Sequence, residues 1–404
     1  MTAQRSVEEH IDHVTRLLAP LTAEPDLESV PLAEAAGRVA AADVRSEVDL
    51  PLFRNSQMDG FAVRAADVAH VPVALEVTGD VPAGHEVPLV LAAGTAIRIM
   101  TGAPVPNGAD AIVPVEDTEL VLGRDDDLAG AVVEIRRPRR RGEFVRERGS
   151  DLHRGEVLVR AGTRLAPRHL AALAAAGVTS VDVRARLRVA VLTTGSELAT
   201  PGESVRFGQV FDANGVALAA LAEEAGAVVS LRASSDDDPE AFARVFDAAV
   251  AASDLVVTSG GISKGAYEVV REVLLPRGAE VTTVAMQPGG PQATAVVDGV
   301  PVLCFPGNPV STQVSFAVFL RAPLREAAGL PELPLRRLRL TESVHSVPGK
   351  RQFLRGRVGV DGVAAVSGPS SHLVAAMANA DVLIDLPADA EAVEAGADVT
   401  VWTL

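Results

Sequence analysis

Between residues 188 and 320 the sequence alternates short apolar runs with longer amphipathic ones, and this alternation restricts the fold more than any other feature. Apolar runs at 188–192, 227–231, 255–258 and 302–305 read as buried strands. Runs at 214–224, 239–251, 267–275 and 310–320 read as helices, the first stopped by Gly226 and the second carrying Pro239 in its opening turn. Strands that are apolar along their whole length and separated by helices predict a parallel sheet covered on both faces. Ligands of such sheets bind outside the carboxyl ends of the strands.

The loops at those ends are polar and glycine-rich: TTGSE at 193–197, SSDDD at 234–238, SGGIS at 259–263 and PGNP at 306–309. Glycine lets backbone amides approach an anion closely, and the helix start that follows favours negative charge. Glu197, Asp212, Asp237 and Asp238 offer carboxylates for a Mg²⁺ held by one or two direct contacts plus phosphate oxygens. A phosphorylated ligand with magnesium is the physical expectation. The alternative is that the glycines only close turns and the carboxylates only cap helices. Neither the Walker spacing nor G-x-G-x-x-G is present.

On either side the pattern changes. Ser6 and Glu9 are placed for a capping box, starting a helix whose face carries Val7, Ile11, Val14, Leu17 and Leu18. From about 43 to 150, β-branched runs at 71–77, 111–115 and 131–135 alternate with Gly, Pro and Asp clusters, which predicts a small β domain. A helix at 167–175 and a strand at 180–183 follow. Past residue 331 short strands return at 336–340, 352–358, 382–386 and 398–402, predicting a second β domain. The expected class is a multidomain α/β plus β protein with a central parallel-sheet domain.

Composition excludes several functions. A formal charge of −16, from 53 acidic and 37 basic residues, argues against nucleic acid as a partner. Aromatic residues are 3% of the chain, too few for a base-stacking platform. Cys304 is the single cysteine, which excludes a disulfide framework or a cysteine-built zinc site, and no histidine pairs with an acid or thiol at metal-ligand spacing, His10 and His13 sharing a helix with no cysteine nearby. The uncharged run 299–320 reaches spanning length but is broken by Pro301, Pro306, Gly307 and Pro309, so no membrane span is expected. Residues 1–10 hold Arg5, Glu8 and Glu9 and no apolar core, so a cytoplasmic location is the expectation. Lys264 and Lys350 are the only lysines. The arginine-dense stretch 136–148 (RRPRRRGEFVRER) reads as an oxyanion site suited to guanidinium forks, with a solvated hairpin as the alternative.

The motifs NSQMDGFA (55–62), RIMTGAPVPNGADAIVPVED (98–117), GEFVRERGSDL (142–152), LTTGSEL (192–198), FDANG (211–215), SGGIS (259–263), VAMQPG (284–289) and FPGNPVS (305–311) occur in that order. With them the chain resembles, over nearly its whole length, the molybdopterin molybdotransferase family of MoeA and the gephyrin E domain. The resemblance implies a homodimer of four-part subunits. Residues 1–45 with 151–187 would form a linking domain, 46–150 an inserted β domain, 188–328 the molybdopterin-binding α/β domain and 329–404 a β barrel. It implies Mg²⁺-dependent insertion of molybdate into adenylylated molybdopterin, with release of AMP. The molybdopterin adenylyltransferase and apo-molybdoenzymes would be partners. Asp59, Thr101, Glu197 and Asp237 are the catalytic candidates, the first two from one protomer and the others from the α/β domain of the second. Substrate contacts are expected from Asp151, Thr194, Gly195, Ser259, Gly260, Gly261, Ser263, Lys264, Pro306, Asn308 and Pro309. Metal contacts are expected from Glu197, Asp237 and Glu268.

Three positions depart from the family pattern. Ala266 stands where an acid is usual, which leaves Glu268 as its substitute, and Thr283 and Gly290 stand where lysines are usual. Lys264 is the expected replacement for the lost positive charge. A molybdopterin adenylyltransferase-like enzyme and a non-catalytic molybdopterin carrier are the competing readings.

Overall fold

The computed structural model describes residues 4–23, 25–84, 89–124, 127–262 and 268–404. The chain divides into two units, 1–28 with 184–404, and 29–183.

In the first unit a seven-stranded sheet runs in the order Gln4–Arg5, Glu280–Val284, Pro291–Val297, Val300–Phe305, Leu255–Ser259, Arg188–Thr194 and Val228–Ser235. The last four pair in parallel, as the alternation predicts. The sheet is nevertheless mixed: Glu280–Val284 and Pro291–Val297 pair antiparallel with each other, and the second also pairs antiparallel with Val300–Phe305. Reading along the chain misses these two strands. Val191, Val257 and Leu303 face one core, while Ala190, Val256 and Val302 face the other, so both sides of the sheet are covered. Helices Ala213–Glu224, Pro239–Ala252 and Val269–Leu274 follow their strands. The predicted 310–320 helix is more elaborate. It begins at Pro309, passes through a π turn at Phe316–Leu320 and continues to Ala327.

Helix Val7–Ala23 closes the first core with Val7, Val14 and Leu18. Its capping box forms as expected, with the Ser6 N–H donating to Glu9 Oε2 (2.7 Å) and the Glu9 N–H to Ser6 Oγ (3.1 Å). Strands Arg336–Arg339, Arg351–Gly359, Gly362–Ala365, Val382–Leu386 and Asp398–Thr403 make the second β module. A bridge between Leu340 and Val363 joins its ends into a barrel. Strand Met286–Gln287 leaves the α/β domain and pairs with Arg351 and Gln352, stitching the barrel to the loop 285–290.

The second unit holds a six-stranded sheet in the order Ala111–Pro114, Gly60–Val63, Thr95–Ile99, Val73–Val81, Asp127–Ile135 and Thr118–Arg124. A separate core joins Val30, Ala35 and Ala40 with Val159, Leu165, Leu173, Val181 and Val183. The arginine stretch differs in part from its oxyanion reading, because nearby carboxylates pair with Arg136, Arg137, Arg139 and Arg148. Arg137 pairs with Asp117 (3.0 Å), Arg139 with Asp117 and Glu143, Arg136 with Glu119 and Glu134, and Arg148 with Asp49 (2.6 Å).

Candidate active site

A cleft of about 810 Å³ opens at the carboxyl ends of the parallel strands. Each strand delivers one wall segment: Thr193, Thr194, Gly195 and Glu197 after the first, Asp237 after the second, Ser259, Gly260 and Gly261 after the third, and Pro306, Gly307 and Asn308 after the fourth. Glu268 completes the acidic set. Pro309 begins its helix and does not line the cleft. Ser263 and Lys264 lie outside the described residues. Asp59, Thr101 and Asp151 belong to the 29–183 unit and are not among the residues lining the cleft.

The four carboxylates of the strand-end loops have two different jobs. Asp212 caps helix Ala213–Glu224, accepting from the Gly215 N–H (2.9 Å) and from the Thr193 hydroxyl (2.9 Å). Asp238 caps the next helix through the Ala241 N–H (2.7 Å). Both serve local structure, which corrects their reading as metal contacts. Glu197 and Asp237 remain in the cleft. Asp237 Oδ2 accepts from the Ser196 N–H (3.0 Å) and hydroxyl (2.7 Å), clipping two strand-end loops together. Glu197 folds back over Gly195, where an added Cβ would lie 2.5 Å from Oε2 and push the carboxylate aside.

Ser259 lies at the centre of a buried network. Its hydroxyl meets Thr312 Oγ1 (3.0 Å) and the Pro306 carbonyl (3.2 Å), and it accepts from Asn214 Nδ2 (2.9 Å). The same Asn214 amide donates to the Gly307 carbonyl (2.7 Å). Gly260 follows at φ 100°, and a Cβ there would meet the Thr194 carbonyl at 2.7 Å. This close approach lets the loop present backbone rather than side chain to a ligand.

The far wall comes from residues that reading along the chain did not single out as contacts: Thr283, Gln287, Gly290, Lys350, Ser370, Ser371 and His372. The pairing of Met286–Gln287 with Arg351–Gln352 carries Lys350 to this wall, and the Arg351 N–H donates to the Ala285 carbonyl (2.9 Å). Lys350 therefore stands in the same cleft as Thr283 and Gly290, where the family pattern places lysines. The rarity of lysine was the one signal in the sequence that pointed to it. The fully buried Arg355 anchors the 367–372 loop by donating to Ser367 Oγ (2.8 Å), and the Val310 N–H donates to the Ser371 carbonyl (3.0 Å). Among the described lining residues three carboxylates thus face one lysine.

In the other unit Asp59 and Thr101 do meet. The Thr101 N–H (2.6 Å) and hydroxyl (2.8 Å) both donate to Asp59 Oδ1. These bonds hold the carboxyl below the usual aspartate range.

The fold and cleft define a protein whose α/β domain gathers carboxylates, a lysine and glycine loops in one cleft, with one β module in each unit. Comparison with known proteins makes the class specific. Residues 5–177 match the MoeA N-terminal region (domain I and II), residues 190–326 a probable molybdopterin binding domain, and residues 337–404 the MoeA C-terminal region (domain IV). Molybdopterin molybdenumtransferase 2 of Mycobacterium tuberculosis is 42% identical over 99% of this chain and 100% of its own length. The molybdopterin molybdenumtransferase of a Nostoc species is 34% identical over 100% of this chain and 94% of its own. A crystal structure of the molybdopterin biosynthesis MoeA protein from a Pyrococcus species superposes with TM-score 0.78 at 32% identity, covering 97% of this chain and 98% of that one. The chain belongs to the MoeA family of molybdopterin molybdenumtransferases.

Proposed function

We propose that the cleft inserts molybdate into adenylylated molybdopterin, with Mg²⁺ and with release of AMP. The observation that carries this reading is the convergence of Glu197, Asp237 and Glu268 with the glycine loops of three strands in one cleft, in a chain similar to molybdenumtransferases along its whole length. The adenylyltransferase-like alternative accounts only for the α/β domain, whereas these relatives also span both β modules.

The donor set fits magnesium. Among the described residues no three acidic, histidine or cysteine side chains form a ready-made metal cage. Magnesium is commonly held by one or two carboxylates together with substrate phosphates and water. One or two of Glu197, Asp237 and Glu268 would hold it, and when bound it would polarise the phosphoanhydride and offset charge on the leaving phosphate. The protein's own groups do the rest. The Gly195 and Gly260 N–H groups already donate to the Ser235 and Phe305 carbonyls, so the amides of the Gly261 and Gly307 turns are the ones to receive phosphate oxygens, and Lys350 supplies a fixed positive charge for an oxyanion. The Ser196–Asp237 clip and the Ser259 network keep the loops in place, so charge stabilisation needs little reorganisation.

Homodimer formation, exchange with the adenylyltransferase and apo-molybdoenzymes, and a cytoplasmic location belong to the same proposal. Among the described residues no helix is long and apolar enough to cross a membrane. The test is to incubate the protein with adenylylated molybdopterin, Mg²⁺ and molybdate. AMP release with reconstitution of an apo-molybdoenzyme is the expected result. Pterin binding without AMP release would instead support the carrier.

A further inference from the structure

A second pocket, of about 120 Å³, shares no lining residue with the cleft. One wall is a stripe of the helix that begins at Pro309: Gln313, Ala317, Arg321 and Arg325, spaced four apart. Facing it are apolar side chains: Leu221 and Ala225 around the end of helix Ala213–Glu224, Met377 of helix Val374–Ala378, and Leu404. Arg321 donates through Nη1 to the Thr403 carbonyl, and Arg325 through Nε (3.0 Å) and Nη2 (2.9 Å) to the Pro331 carbonyl. Among the described residues neither arginine forms an ion pair, and Arg321 Nε and Nη2 and Arg325 Nη1 make no hydrogen bond. None of these three nitrogens is sealed from solvent. Burial first, then the Arg325 charge, lowers the pKa of Arg321 from its ordinary value, while Glu224 opposes the shift. Like charges four apart on one helix repel, and a half-buried cation without a counter-charge is costly until an anion joins it. The helix adds an independent sign. Its π turn, Phe316–Leu320, contains Ala317 and ends directly before Arg321, and such turns are rare and frequently mark functional sites.

We propose that this pocket binds a small carboxylate with a short apolar tail, held by Arg321 and Arg325. The fork of a guanidinium matches the planar pair of carboxylate oxygens. The tail lies against Leu221, Ala225, Met377 and Leu404 and removes their apolar surface from water. Size follows from the volume: an apolar cavity of about 150 Å³ admits benzene, so this pocket takes about six or seven non-hydrogen atoms. Inorganic phosphate would satisfy the arginines but leave the apolar wall unused. The ligand also ties the α/β domain, through Arg321, to the barrel, through Met377 and Leu404, so its binding stabilises the first unit. The site is independent of the reaction proposed for the cleft, and its test needs neither molybdate nor molybdopterin.

The experiment titrates pentanoate, pentan-1-ol, pentylamine and inorganic phosphate into the intact chain by calorimetry, with thermal unfolding as the control for folding. Pentanoate is expected to bind with a Kd of about 1 mM, and each of the other three at least about tenfold more weakly. Arg321→Met keeps most of the side chain without the charge and should weaken pentanoate about tenfold or more, with Arg321→Lys intermediate. Ala380→Leu, at another lining position, fills the pocket while keeping both arginines and should abolish binding. No pentanoate binding by wild type at about 20 mM overturns the site. Pentan-1-ol binding as tightly as pentanoate overturns the part given to the arginines, and phosphate binding as tightly overturns the apolar tail. Wild-type pentanoate affinity in both Arg321→Met and Ala380→Leu, with unchanged unfolding temperature, shows that the acid binds elsewhere and overturns the pocket. Should either variant fail to fold, the four titrations of wild type decide the proposal by themselves.

Discussion

Glu197 and Lys350 carry opposite charges into one cleft, and each makes a prediction about a single residue. Glu197→Gln keeps the shape over Gly195 and removes the charge, so Mg²⁺-dependent AMP release should fall about 10- to 100-fold, as loss of a charged contact requires. A Mg²⁺ titration of AMP release that matches wild type would remove Glu197 from the site. Lys350→Ala should raise the half-saturating concentration of molybdate about tenfold or more, with Lys350→Arg intermediate. Unchanged saturation in Lys350→Ala would show that the amides alone hold the oxyanion. The family-pattern departures at Thr283 and Gly290 take on a physical meaning here. The positive charge those positions lack is present in the same cleft, on Lys350 just before the strand that pairs with Met286–Gln287.

At the scale of one element, helix Val7–Ala23 contains a buried titratable group that plays no part in the proposed reaction. His10 is 1% exposed, packs edge-on against Phe319 with ring centroids 4.6 Å apart, and has its neighbour His13 at 5.9 Å. Burial first, then the charges of His13 and Arg5, lower its pKa from 6.5 to about 3, while Glu280 opposes the shift. A folded-state value below the unfolded one means that the unfolded chain takes up the proton first as pH drops. Stability from this residue is therefore unaffected above pH 6.5 and is lost as pH falls from 6.5 towards 3, by at most about 1.4 kcal/mol per pH unit. His10→Phe should flatten the pH dependence of urea unfolding in that window, and an unaltered slope would show that His10 is not its source. The helix also illustrates how legible an element can be. Its capping box and apolar spacing are both local and both form, whereas the π turn at Phe316–Leu320 has no local signal and arises inside a run of fully packed side chains.

Over the whole molecule, contacts between distant parts of the chain hold the first unit together. Arg351 donates through Nε (2.8 Å) and Nη2 (2.6 Å) to Asp385, pairs with Glu8 on the first helix and lies over the Phe353 ring at 5.6 Å. The Asp385 side chain is 4% exposed and also accepts from Trp402 Nε1 (2.8 Å). Arg351→Ala leaves that buried carboxylate without its cation and should cost about 3–5 kcal/mol in unfolding free energy. A loss below about 1 kcal/mol in denaturant titration would mean the pair is compensated by the remaining bonds. The alternating strands and helices of 188–320, the carboxylates and glycines at the strand ends, and the ordered family motifs were all determined by the sequence. Each depends on periodicity or on residues close together in the chain. Only the tertiary structure decided that Asp212 and Asp238 cap helices while Glu197 and Asp237 face the cleft, since neighbouring acids look alike until the backbone directs them. It likewise decided that Arg136, Arg137, Arg139 and Arg148 pair with carboxylates, and that Lys350 and Ser370–His372 from the barrel form the cleft's far wall. Those outcomes depend on pairings between residues far apart in the chain, and neither periodicity nor motif spacing encodes which distant strands will lie side by side.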